Sequence, residues 1–202
     1  VHYQPIVDAG SPRVAGAEAL LRWTRDGEPV SPGVFIPLCE ELDIMGEVTA
    51  LLLDTVTRDM KDWEARGLTP HVSVNISAPQ FCEPGFTDRF AAALRARAVP
   101  CARVGLEITE TAIMQDPAGA AETLRLLRER GHSISVDDFG TGYSSLRYLQ
   151  KLRLTALKID RQFVKDLEFK QSRAIVRATI AMARGLGLTV IAEGVETPRQ
   201  LD

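Results

Sequence analysis

The sequence predicts an α/β fold in which a mainly parallel sheet curls into a closed (β/α) barrel, and three observations lead there. Seven apolar runs of strand length alternate with longer amphipathic stretches, with no linker, low-complexity tract or internal repeat between them. Glycines fall where the amphipathic stretches stop, at Gly67, Gly131 and Gly187. The length of 202 residues suits the roughly 200 to 250 that one such barrel needs. An open doubly wound sheet is the alternative arrangement of the same elements.

Residues 1–7 alternate His2 and Gln4 against Tyr3, Pro5 and Ile6, a strand pattern. The second strand, 14–22, follows after only six residues, Asp8 to Arg13, too few for a helical crossover, so the two strands pair antiparallel. Helices are predicted at 34–43 and 47–66. A strand at 71–77 then leads to a helix at 86–98, a strand at 103–109 to a helix at 118–130, and a strand at 133–137 to a short helical stretch at 145–151. The last strands, 156–160 and 188–193, flank a helix at 172–185. These later strands are expected to run parallel. Thr197 is a good N-cap and Pro198 suits a first helical position, so one more helix starts there. Residues 1–202 are expected to be one domain, without an initiator Met and cut from a larger protein with regulatory domains of its own.

A hydrophobic share of 45% and a charged share of 25% are those of an ordinary globular domain, which excludes disordered, collagen-like and coiled-coil classes. Lys and Arg number 24 against 27 Asp and Glu, so net charge −3 offers no bulk attraction to nucleic acid or an acidic membrane. No basic stripe interleaved with aromatics appears either, so no nucleic-acid partner is expected. No apolar run approaches the roughly 18 residues that cross a bilayer. A soluble domain without membrane contact of its own is therefore expected, cytoplasmic or the cytoplasmic part of a membrane-anchored protein. Cys39, Cys82 and Cys101 are odd in number and too widely spaced for a zinc or redox motif, and read as small apolar fillers in a reducing compartment.

Alternate side chains of a strand share a face, so in 103–109 Val104, Leu106 and Ile108 face the helices while Gly105 and Glu107 face the other way. The pattern recurs. Glu18 shares its face with Leu20 and Arg22, Asn75 with Ser73, Asp137 with Ser135, Lys158 with Asp160, and Glu193 with Ile191. One charged strand end is ordinarily a solvated edge; six in register converge at the C-terminal mouth, where barrel active sites lie. Glu18, Glu107, Asp137, Asp138 and Glu193 would repel one another there unless cations neutralise them. Oxygen ligands without His or Cys select Mg²⁺, Mn²⁺ or Ca²⁺ over zinc. The adjacent Asp137 and Asp138 suit two ions about 3.5 to 4 Å apart, and such a pair suits a phosphodiester attacked by an acidified water. Lys158 would hold that water or the developing charge, and Glu193 would accept a proton. The loop Phe139, Gly140, Thr141, Gly142, Tyr143, Ser144, Ser145 follows directly and reads as a lid.

Taken together, Tyr3-Gln4-Pro5-Ile6, Glu18-Ala19-Leu20-Leu21-Arg22, Asn75-Ile76-Ser77, Glu107-Ile108-Thr109-Glu110, residues 137–145, Lys158-Ile159-Asp160 and Ala192-Glu193-Gly194-Val195-Glu196 resemble the EAL domain family of bacterial cyclic di-GMP phosphodiesterases. The resemblance runs in order along the whole chain. It implies a modified TIM (β/α) barrel with an antiparallel first strand, and hydrolysis of cyclic di-GMP to linear pGpG with two Mg²⁺ or Mn²⁺ per site, Ca²⁺ being inhibitory. By similarity Glu18, Asn75, Glu107, Asp137 and Asp138 ligate metal, while Lys158 and Glu193 position and deprotonate water. Arg22 would contact a phosphate, Gln4 and Leu20 would line the nucleotide groove, Asp160 would support the metal shell, and Glu196 would assist at the mouth. Glu110 would anchor the loop 139–145, which in the family also couples the site to a homodimer. The family's further C-terminal helix, its final strand with a Gln-Gly motif and its closing helix are absent from this sequence.

Two other readings stand beside this one: a receptor that binds cyclic di-GMP without hydrolysing it, and a barrel enzyme acting on phosphorylated metabolites. No ligand position is substituted, which argues against the receptor. Trp23 and Trp63 read as packing residues, His2, His71 and His132 as element ends, and Arg125, Arg128 and Arg130 with Glu129 as a solvated helix face. Phe35 and Ile36 would line the nucleotide groove by family similarity, but read first as the start of a helix packing on the barrel.

Overall fold

The computed structural model describes residues 1–140 and 152–201. A seven-stranded sheet runs in the order β1-β2-β5-β6-β7-β8-β9, comprising β1 (His2–Val7), β2 (Val14–Leu20), β5 (His71–Asn75), β6 (Val104–Thr109), β7 (Ile134–Phe139), β8 (Ala156–Ile159) and β9 (Thr189–Ala192). β1 pairs antiparallel with β2, and every later neighbour is parallel. All seven expected strands are present. The sheet is a curled half-barrel, with β1 and β9 as its two edges among the described residues.

Helices α1 (Pro32–Glu41), α2 (Met45–Ala65), α4 (Phe86–Ala96), α6 (Pro117–Glu129) and α8 (Lys170–Gly185) follow the expected spans within a few residues. Each local stop has a physical cause. α6 begins where the Asp116 carboxylate accepts from the Gly119 backbone N–H with Pro117 in the first turn, and ends before Gly131 at φ +93°. Between β6 and the sheet's neighbours the outward faces are apolar: Val72, Val74, Val104, Leu106, Ile108, Ile134, Val136 and Leu157 pack against Leu52, Val56 and Met60 of α2, Phe90 and Leu94 of α4, and Leu124 and Leu127 of α6. That layer leaves the inward faces of the strands to polar residues.

Several elements were not expected. β3 (Trp23–Arg25) and β4 (Glu28–Val30) form a hairpin around Asp26 and Gly27, both at positive φ, and Trp23 meets Phe35 edge-on at 5.9 Å. Short helices α3 (Ala78–Cys82), α5 (Glu110–Gln115) and α7 (Arg161–Lys165) start directly after β5, β6 and β8, and α9 (Pro198–Leu201) is the expected last turn. The helix expected at 145–151 lies outside the described residues.

Candidate active site

The register of the sheet carries the polar residues to one end. Gln4 lies opposite Glu18, Glu18 opposite Ser73, Asn75 opposite Glu107, Glu107 opposite Ser135, and Thr109 opposite Asp137. Around this end one buried ammonium gathers the acids. Lys158 is 1% exposed, and its Nζ lies 3.2 Å from Glu18 Oε2, 3.3 Å from Asp137 Oδ2 and 2.6 Å from Glu193 Oε1, in addition to a bond to Glu107 Oε2. Asn75 Nδ2 donates to Glu18 Oε1 at 2.8 Å, and Ser73 Oγ donates to Glu107 Oε1 at 2.5 Å.

Neighbouring strand residues ordinarily point to opposite faces, yet Asp137 and Asp138 both serve this site. The backbone explains it. The β7–β8 register shifts between Val136 and Phe139, and Asp138 takes the left-handed conformation at φ +53°, its N–H donating to Asp137 Oδ1 at 2.9 Å. Such a bulge re-aims a side chain beside a site, and Asp is among the few residues that adopt this conformation readily. Oxygens of Asp137, Asp138 and Glu193 then lie within 4.8 Å of one another, a geometry that can hold a metal ion.

Electrostatics agree with that geometry. Burial lifts the Glu107 carboxyl to about 7 against the pull of Lys158, with Glu18 adding to the rise. Burial, the charge of Asp137 and a hydrogen bond with Asp160 hold Asp138 above the usual carboxylate range. Burial also raises Glu193, against its bond and attraction to Lys158. For Lys158 burial favours the neutral amine, but the charges of Glu107, Asp137 and Glu18 outweigh it and keep the group cationic. One ammonium facing Glu18, Glu107, Asp137 and Glu193, with Asp138 alongside, leaves a negative excess, and three of these acids are held back from ionising. Oxygen ligands in negative excess are the donor set of a hard divalent cation, so the residues fit the metal that the sequence implies.

Other expected residues fall around this centre. Leu20 and Arg22 line a cleft of about 360 Å³ beside it, together with Ile36, Met45, Asn75 and Glu107. Ile36 therefore faces the cleft, whereas Phe35 is buried against Trp23 of the β3–β4 hairpin rather than on the barrel core. Arg22 is exposed and donates to the Leu21 carbonyl. Asp160 caps α7 by accepting from the Gln162 N–H, and it also sits beside Asp138. Gln4 is exposed on the edge strand, and exposed Glu196 donates its backbone N–H to Gln200. Buried Glu110 accepts from the Gly140 N–H through Oε2 at 3.2 Å, and Phe139 is buried at the end of β7. Thr141, Gly142, Tyr143, Ser144 and Ser145 lie outside the described residues.

One residue behind the cleft escaped sequence reasoning. Gln80 of α3 is buried, donates to the Met45 carbonyl at 2.8 Å, and accepts from Thr49 Oγ1 at 2.9 Å and from Ser77 Oγ at 3.3 Å. It ties α3 to the start of α2, where Met45 and Thr49 form the cleft wall. The Ser77-Ala78-Pro79-Gln80 spacing resembles a capping box, but Ser77 makes no cap bond and Gln80 reaches α2 instead, so no sequence signal pointed to this contact.

Fold and site together define a (β/α) half-barrel protein whose C-terminal mouth gathers an acidic cluster able to hold a metal ion. The EAL domain family model matches residues 1–202, and the chain belongs to that family. It is 40% identical over 201 residues to the probable cyclic di-GMP phosphodiesterase PdeB of Escherichia coli, covering 99% of this chain and 38% of that protein. It is also 40% identical over 203 residues to the bifunctional diguanylate cyclase/cyclic di-GMP phosphodiesterase MucR of Pseudomonas aeruginosa, covering 99% of this chain and 30% of that one. The chain thus spans only about a third of the length of these relatives. Among solved structures, the PaMucR phosphodiesterase in complex with c-di-GMP superposes with a TM-score of 0.95 at 40% identity, covering 99% of this chain and 82% of that chain.

Proposed function

We propose that this domain hydrolyses cyclic di-GMP to linear pGpG with Mg²⁺ or Mn²⁺. The observation that carries the reading is the convergence of Glu18, Glu107, Asp137 and Glu193 on Lys158, with Asp138 turned in by the bulge of β7. Two relatives named as cyclic di-GMP phosphodiesterases and a c-di-GMP complex of the same fold support it. Glu18, Asn75, Glu107, Asp137 and Asp138 hold the cations. When bound, these cations acidify a water and stabilise charge on the phosphate.

The protein's own groups do the remaining work. Glu193, made more basic by burial, accepts a proton from the attacking water, and Lys158 beside it stays charged and orients that carboxylate. Water adds to one phosphorus, one P–O3′ bond breaks, and the departing 3′-oxygen takes up a proton, leaving a 5′-phosphate on a linear dinucleotide. Arg22, Leu20 and Gln4 flank the nucleotide, Asp160 steadies Asp138, and Glu196 stands at the rim. Glu110 holds the first residue of the loop after Phe139. Ca²⁺ would be held by the same residues without supporting turnover, the working assembly is a homodimer, and the domain acts in the cytoplasm under regulatory domains elsewhere in its protein. Chromatography of cyclic di-GMP incubated with the protein tests the reading. Linear product is expected with Mn²⁺ or Mg²⁺, and neither with Ca²⁺ nor with Glu18→Ala; full activity of that variant would refute the ligand set.

A further inference from the structure

Glu107 has two carboxylate oxygens and each already has a partner. Oε2 faces the Lys158 ammonium, while Oε1 accepts the hydroxyl proton of Ser73 at 2.5 Å. Ser73 is 4% exposed and Glu107 1%, so the Ser73–Glu107 bond is largely shielded from solvent. The register builds the contact: on β5 Ser73 stands two residues before Asn75 on the same face, and Asn75 is paired with Glu107. The hydroxyl thus reaches the acid diagonally across the two strands.

We propose that Ser73 is a positioning residue of the cation centre: by committing Oε1 of Glu107, it fixes Oε2, which also accepts from Lys158, as the oxygen that Glu107 turns toward a cation. The inference rests on the cation-dependent reading given above. Ser73 touches neither cation nor substrate and acts through Glu107. Its hydroxyl supplies one donor. Without it, Oε1 becomes a buried acceptor lacking a partner, and the carboxylate turns away to find one, so the orientation of Oε2 is lost. Partners that orient metal-binding carboxylates govern affinity in this way.

The test is Mn²⁺ binding to the nucleotide-free full chain, by calorimetry and by the electron paramagnetic resonance line shape of the bound ion. Ser73→Ala is expected to weaken binding roughly 10- to 100-fold and to change the line shape. Ser73→Thr, which keeps the hydroxyl, restores both. If Ser73→Ala does not fold by circular dichroism, Ser73→Cys replaces it, since a thiol donates only weakly and the same loss is expected. Wild-type affinity and line shape in the folded Ala or Cys variant would overturn the inference. Glu107→Gln separates the two levels of the reasoning. If the wild type binds no Mn²⁺, or Glu107→Gln binds it equally well, the cation reading falls and the Ser73 inference with it. If those two behave as expected and only the Ser73 variant is silent, the Ser73 inference alone falls.

Discussion

Replacing Lys158 with Met removes the ammonium that Glu18, Glu107, Asp137 and Glu193 share, while keeping a side chain of similar length. The consequence concentrates on Glu107, which is 1% exposed and loses the partner of Oε2. Removing one member of a buried ion pair costs about 3–5 kcal/mol. For a domain of this size that lowers the melting temperature by roughly 6–20 °C. The loss depends on pH with a definite sign. Burial already lifts Glu107 from 4.5 to about 7, and the variant lifts it further. A carboxyl raised on folding contributes stability in full below its unfolded value and loses it as pH rises through its folded value. The deficit is therefore largest above pH 7 and shrinks towards pH 5. Mn²⁺ substitutes for the missing ammonium, and at a hundred times its Kd a ligand specific to the folded state returns about 2.7 kcal/mol. Urea denaturation in EDTA and in Mn²⁺, at pH 5.5 and 8, measures all three effects. A loss of about 1 kcal/mol or less in EDTA at pH 8, the scale of an exposed ion pair, would refute the account of Lys158 as the electrostatic centre.

Gln80→Ala should cost about 1–3 kcal/mol in urea denaturation, because Thr49 Oγ1 and the Met45 carbonyl lose their buried partner; it should also raise KM for cyclic di-GMP more than it lowers kcat, since the cleft wall loosens while the acids stay in place. Burial lowers the pKa of His132, whose Nδ1 bonds the Val104 carbonyl and whose Nε2 has no protein partner among the described residues. The unfolded state therefore takes up the proton first as pH falls, so the stability difference between wild type and His132→Asn is constant above about pH 6.5 and turns against the wild type below it. A difference that stays flat down to pH 5 in urea titrations would contradict this.

Much of the fold was legible because apolar runs, glycine stops and connection lengths report directly on strands, helices and pairing direction. The short connection Asp8 to Arg13 gave the antiparallel first pair, which the register of β1 and β2 bears out. What escaped was local: the β3–β4 hairpin, although Asp26-Gly27 is a strong turn signal, and the short helices that begin directly at strand ends. A helix of five or six residues shows too little periodicity to be read. At the site, alternation along the strands placed Glu18, Asn75, Glu107, Lys158 and Glu193 correctly at one mouth. Alternation gave no reason for Asp137 and Asp138 to face the same way, since two adjacent strand residues diverge; their adjacency suggested a shared pair of ions, and the register shift with the left-handed Asp138 supplies the physical cause. Nor did alternation distinguish Ser73 as a partner of Glu107 from a small residue facing the interior, because that depends on a diagonal contact between strands.

The most direct test of the phosphodiesterase account is a single turnover of cyclic di-GMP in ¹⁸O-labelled water with Mn²⁺, read by mass spectrometry. The account predicts linear pGpG carrying one ¹⁸O on its 5′-phosphate, and no product in EDTA. A missing linear product, an unlabelled phosphate, or equal turnover in EDTA would contradict it.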